Sequence, residues 1–128
     1  MSYYIATTLE GPFDAVIERV KSELKQEGFG VLSDIDVEGT LKQKLGVDFR
    51  KYRILGACNP PFSHRALQAE DKIGRLLPCN LIVQEKSDST IEVAAVDPVV
   101  SMQGVENKEV QKIAEEIRAI LRSVIDRL

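Results

Sequence analysis

The C-terminal stretch constrains the fold most. Val110, Ala114, Ile117, Leu121, Val124 and Leu128 recur at alternating steps of four and three, and Ile113, Ile120 and Ile125 widen the same stripe. This spacing belongs to an amphipathic helix with a broad apolar side that must be buried. Packing on a sheet accounts for most of the stripe. Its width leaves apolar surface for a partner chain, and a symmetric homodimer is the commonest assembly of small proteins.

The preceding chain supplies a sheet. Tyr3 to Leu9 has the β-branched and aromatic content of a strand and is closed by Gly11-Pro12. Pro12 suits the first turn of a helix that carries Phe13, Val16, Ile17, Val20 and Leu24 on one side and stops at Gly28. Phe29 to Val37 is a second strand, and Glu38 to Leu45 a short helix with Leu41 and Leu45 on one face and Gly46 as its stop. Val47 and Phe49 open an extended segment in which Tyr52, Ile54, Gly56 and Cys58 share one face and Arg53, Leu55 and Ala57 the other. Asn59-Pro60-Pro61 breaks that strand, and Ser63 is the expected N-cap of a short helix with His64, Arg65, Leu67 and Gln68, the helical region ending at Gly74.

A nearly continuous apolar strand runs from Leu76, or from about Pro78, to Glu85, and Thr90 to Val96 returns after a turn at 86–89. With Ser87 and Asp88 as the two turn residues, Cys79 faces Val96 and Asp97 lies one step away; a longer loop would change these neighbours. Asp97-Pro98 ends the strand, and a loop with Met102 and Gly104 leads to the last helix. The order is strand, long helix, four strands with small helical inserts, long helix. It predicts a single α+β domain over 1–128, with a mostly antiparallel sheet and two long helices packed on one face.

Composition narrows the function classes. The net charge of −3 and the lack of any Lys/Arg cluster argue against a nucleic-acid partner, which requires a basic face. No apolar run approaches the roughly 18 residues needed to span a bilayer, so no membrane role is expected. The Met-Ser-Tyr-Tyr-Ile-Ala-Thr-Thr start lacks the pattern of a signal peptide, which makes a cytoplasmic location with two reduced thiols the expectation. G-x-x-x-x-G-K, G-x-G-x-x-G, H-E-x-x-H and G-x-S-x-G are all absent, and no cofactor is assigned.

The candidate chemistry gathers in residues 52–80, which hold both cysteines and the only histidine, with each cysteine followed by asparagine. If the Cys58 strand is the antiparallel neighbour of the Cys79 strand, both thiols come to one edge of the sheet, within reach of His64 and Asp97. A metal or redox pair of Cys58 and Cys79, with His64 as a third ligand, is one reading; two small buried hydrophobes is the other. A thiol-dependent enzyme with Cys58 or Cys79 as nucleophile and His64 as base is a further alternative, and a structural or interaction protein acting through its dimer surface is another. Asn59 and Asn80 serve either as backbone caps or as the lining of a polar pocket. Arg65 and Arg75 suit a carboxylate or phosphate, or else solvated ion pairs, and Asp97 is either a strand terminator or an acid. Gly56 within a strand marks a bulge or a close approach of backbone. The expected ligand set is therefore Cys58, Asn59, His64, Arg65, Cys79, Asn80 and Asp97, in a binding module for a small molecule or a soft metal.

The run Tyr-Arg-Ile-Leu-Gly-Ala-Cys-Asn-Pro-Pro-Phe-Ser-His-Arg-Ala-Leu (52–67), followed by Leu-Leu-Pro-Cys-Asn (76–80) and Val-Asp-Pro-Val (96–99), resembles domain-of-unknown-function family 302. Ile-Asp-Val-Glu-Gly-Thr-Leu-Lys-Gln-Lys-Leu-Gly-Val-Asp-Phe (35–49) fits it as well. The resemblance implies a β-α-β4-α arrangement similar to the TATA-binding-protein fold, in a small cytoplasmic protein that forms dimers. It brings no activity with it. Pro60, Pro61 and Pro78 join the residues above as its signature positions.

Overall fold

The computed structural model describes residues 2–87 and 89–128. Five strands form one sheet: β1 (Tyr4–Glu10), β2 (Gly30–Asp36), β3 (Tyr52–Cys58), β4 (Cys79–Ser87) and β5 (Thr90–Val96). They lie in the order β1-β5-β4-β3-β2, and every neighbouring pair is antiparallel. Among the described residues five helices accompany them: α1 (Phe13–Gln26), α2 (Val37–Leu45), α3 (Pro60–Ala69), α4 (Pro98–Ser101) and α5 (Lys108–Asp126), with a 3₁₀ turn over Ile73–Leu76. The α+β class and the strand-helix-four-strand-helix order are those expected from the sequence.

The core is the layer between one sheet face and the two long helices. α1 buries Phe13, Val16, Ile17, Val20 and Leu24, each at the position its helical spacing dictates. Gly28, in the left-handed region at φ 84°, ends that helix by turning its amide back to the Lys25 carbonyl. α5 buries Val110, Ile113, Ala114, Ile117, Leu121, Val124 and Ile125, while Ile120 and Leu128 pack against the same cluster from its margin. All nine aliphatic positions of the stripe are thus used inside the chain, and the surplus surface expected on this helix is taken up by the core. From the sheet, Leu55, Leu81, Val83, Ile91, Val93 and Ala95 meet them. The alternation of strand side chains then sends Tyr52, Ile54, Ile82, Gln84, Glu92 and Ala94 to the opposite face.

Three local expectations are corrected. The turn placed at Ser87 and Asp88 includes a residue, Asp88, that lies outside the described ones; Ser87 in fact pairs with Thr90, so the hairpin loop falls one residue later. A bulge between Glu85 and Ser87 takes back part of that shift and gives Leu81↔Ala95, a register that brings Cys79 level with Asp97 instead of Val96. The second correction concerns α3, which begins at Pro60 with Asn59 at the N-cap position, so Ser63 lies inside the helix. Proline is at home in a first helical turn, and the Pro60-Pro61 pair starts the helix as well as ending the strand. The same logic explains α4: Asp97 accepts the Val99 amide and Pro98 takes the first position, turning the expected loop into a turn of helix.

Gly56 is the close approach that its place in a strand suggested. A Cβ there would collide with the Ser33 hydroxyl and come within 2.8 Å of Pro78 Cγ. Gly56→Ala should therefore lower stability by about 1–3 kcal/mol with the fold retained, as measured by the denaturation midpoint at unchanged m-value.

Candidate functional site

The pairing of β3 with β4 brings the two Cys-Asn pairs to one end of the sheet. Ala57 lies opposite Cys79, and Gly56 opposite Asn80. The alternation of side chains then separates what the pairing unites. Cys79 follows Ala57 into the core, where Phe29, Phe62, Met102 and Ile113 close round it and leave only about 10 Å³ of free space. Ligand sites run to roughly 300–1,000 Å³, so this is packing and not a pocket. Burial, with a smaller contribution from the neighbouring Cys58, pushes the Cys79 thiol up to about 11. At neutral pH it is a protonated, inert group.

Cys58 is half-buried, and its Sγ lies 3.1 Å from Ser63 Oγ in the first turns of α3. His64, the residue expected to meet a thiol, is exposed on that helix, and no hydrogen bond joins it to either sulfur. Among the described residues no three His, Cys, Asp or Glu side chains gather in a way that could hold a metal ion.

The remaining expected residues have structural partners. Asn59 is buried and donates its amide to the Glu27 carbonyl at 3.2 Å, which ties the end of α1 to the start of α3. Arg65 lies over the Phe62 ring and reaches Glu109 and Glu116 of α5. Asp97, buried at the N-terminus of α4, receives two bonds from Arg118 Nε at 3.1 Å and one from Nη2 at 2.8 Å. Burial raises the Asp97 carboxyl, but the guanidinium and the backbone amides of Val99 and Val100 together outweigh that effect and hold it below the usual carboxylate range. Asn80 projects onto the uncovered face, and by the same alternation Cys58, at the end of β3, belongs to that side.

That face carries the arrangement the sequence reading missed. Gln84 is only 9% exposed there, because the segment before β3 folds over it. Arg50 Nε donates to Gln84 Oε1 at 2.8 Å, and Gln84 Nε2 donates to Glu92 Oε1 at 2.8 Å. The Arg50 guanidinium also stacks 4.4 Å from the Phe49 ring centre and 5.5 Å from that of Tyr52. The relay fixes the orientation of the amide: its oxygen serves the cation and its nitrogen the carboxylate. Beside it lies an open groove of about 440 Å³, walled by Tyr4 and Tyr52 and floored by Ile82, Ala94 and Val96, with Asn80 and Lys86 also on its lining. The signal for this groove was present: Gln84 ends the apolar run Leu81-Ile82-Val83 of β4, and Glu92, Ala94 and Val96 alternate with core residues. Only the sheet order showed that these positions share a face.

A profile described as "Domain of unknown function DUF302" matches residues 5–128. The chain belongs to the DUF302 family. Among solved structures it is similar to the uncharacterized conserved protein DUF302 from Bacillus stearothermophilus, with 30% sequence identity and a TM-score of 0.91 over 99% of this chain and 98% of that one. A search of proteins with curated functions finds no match. The family resemblance read from residues 35–49, 52–67, 76–80 and 96–99 is therefore correct, and the match to DUF302 runs over residues 5–128. Among the described residues no helix is long and apolar enough to cross a membrane.

Two measurements check this account. A thiol reagent should modify Cys58 readily in the folded protein and Cys79 only after denaturation, giving one fast equivalent natively and two in denaturant. Asp97→Asn should cost about 1–3 kcal/mol at neutral pH, since it removes the charged partner of Arg118. Because the folded-state carboxyl is held low, the stability it adds is complete above the unfolded value near 4 and declines as the pH falls through the folded value. The gap between wild type and variant should accordingly narrow in acid.

Proposed function

We propose that this DUF302 chain is a binding module whose ligand, a flat and partly apolar small molecule with hydrogen-bonding groups, occupies the uncovered face of the sheet. One observation carries the reading: a groove of about 440 Å³ beside a buried glutamine whose amide is held between an arginine and a glutamate. Its size is that of small-molecule sites, and its mixture of apolar floor, aromatic walls and a few oriented polar groups is what such sites use. Ile82 and Ala94 supply the apolar contact, Tyr4 and Tyr52 the flat walls. Asn80, Gln84 and Glu92 supply donors and acceptors.

This reading keeps the binding module expected from the sequence and moves its centre. Of the expected ligand residues, Asn80 lines the groove, and Cys58 lies at the end of β3 two residues beyond Gly56, which pairs with Asn80. Asn59, Arg65, Cys79 and Asp97 act on the ligand only through the scaffold they hold together. A thiol enzyme with His64 as base is disfavoured on the same grounds, since the sealed thiol is raised in pKa and the half-buried one meets a serine.

Methyl-labelled NMR with a library of small aromatic fragments tests the proposal. Binding fragments should shift the Ile82 and Ala94 methyl signals together, and Ala94→Glu should remove the Ile82 shift while leaving the folded spectrum otherwise intact. If the fragments that bind move signals elsewhere, or if none perturbs this face, the assignment is wrong.

A further inference from the structure

Beyond the groove, the molecule has one segment that the monomer leaves without an apolar partner. Five of the nine large apolar side chains exposed among the described residues fall between positions 32 and 49: Leu32 at 71%, Ile35 at 47%, Leu45 at 68%, Val47 at 44% and Phe49 at 37%. α2 contains no buried residue at all. β2, which leads into it, is an outer strand of the sheet, and Leu32 to Asp36 are all exposed. The opposite edge strand, β1, turns Tyr4, Ala6, Thr8 and Glu10 outward, and Tyr4, its one large apolar side chain there, lines the groove.

Edge strands are commonly guarded by charges directed at solvent. Here the two carboxylates of β2 are turned to their own chain. Asp34 takes two bonds of 2.6 Å from Arg53 and one of 3.1 Å from Lys21, and Asp36 accepts the Gly39 amide at the start of α2. Leu32 and Ile35 are the large apolar side chains that β2 leaves exposed. Large apolar side chains left exposed in one segment point to an interaction site.

The charges of α2 indicate which partner fits. Glu38 lies in its first turn and Lys42 and Lys44 in its last. A two-fold axis perpendicular to this helix sets it antiparallel to its own copy, which brings the acidic end of each against the basic end of the other. The pattern is self-complementary, as an isologous interface requires. Lys42 is paired with Asp48 in the chain, but both side chains are well exposed, at 65% and 94%, so that contact is weak and free to exchange.

We infer that the β2–α2 segment, residues 32–49, is the seam at which a second copy of this chain docks, with the two α2 helices antiparallel. The expected homodimer thus uses this arm, and α5 remains inside each protomer. Phe49 belongs both to the seam and to the stack under Arg50, so the interface reaches the margin of the groove on each copy.

Sedimentation velocity across a concentration series decides the matter, with circular dichroism to confirm folding. The wild-type chain should sediment as a dimer at micromolar concentration. Leu45→Asp should weaken self-association about tenfold or more, whereas Leu67→Asp, at an exposed leucine on α3, should leave it unchanged. Glu38→Lys should also weaken the dimer, and combining it with Lys42→Glu and Lys44→Glu should restore it. A wild-type monomer at every concentration overturns the inference, as does a dimer indifferent to Leu45→Asp or one that the triple exchange fails to restore.

Discussion

The molecule depends on a single apolar layer, pressed between one face of the sheet and the helices α1 and α5. Leu24, Leu55, Leu81, Ile91, Ile113 and Leu121 are all fully enclosed in it. Each such side chain is worth roughly 1.5–3 kcal/mol on leaving water. Because both long helices lie on the same face, the other face of every strand is left uncovered by them. The groove, the Gln84 relay and the exposed arm are consequences of that one-sided packing.

Polar side chains then fasten the ends of elements to one another. Asn107 caps α5 through the amides of Glu109 and Val110 while its own amide reaches the Ala69 carbonyl at the end of α3. Asn59 joins α3 to α1 and Asp97 joins α4 to α5, with no buried side-chain nitrogen or oxygen left unsatisfied among the described residues. Asparagine and aspartate suit this work because a short side chain with fixed polarity can replace the missing bonds of a helix end. The same chemistry makes them attractive as ligand groups when only the sequence is in view. Asn59 and Asp97 stand out there for that reason, and in the fold their bonding capacity is spent on backbone and on Arg118.

The cysteines illustrate how far a local pattern reaches. The strand boundaries bring Cys58 and Cys79 to one end of the sheet only on the condition that their strands are antiparallel neighbours, and β3 and β4 do pair in that way. One residue of register then decides everything else. With Ala57 opposite Cys79, one thiol is sealed in the core and the other turns toward Ser63. His64, a single helical step beyond Ser63, faces solvent. Period-2 alternation makes such an outcome all or nothing.

What the sequence determined by itself is what periodicity and end signals encode: the buried faces of α1 and α5, the strand-and-turn order, the α+β class, and a family signature dense enough around Gly56 to Pro61 to name. These are local properties, set within a turn of helix or a few residues of strand. The tertiary structure alone decided partnerships across the chain. Arg50 meets Gln84 from 34 residues away, and Arg118 meets Asp97 from 21. The bulge between Glu85 and Ser87 set the hairpin register, and the placement of both helices on one face determined which polar residues share a surface. Such pairings follow from the minimum of many competing long-range contacts, and no short window of sequence contains both partners.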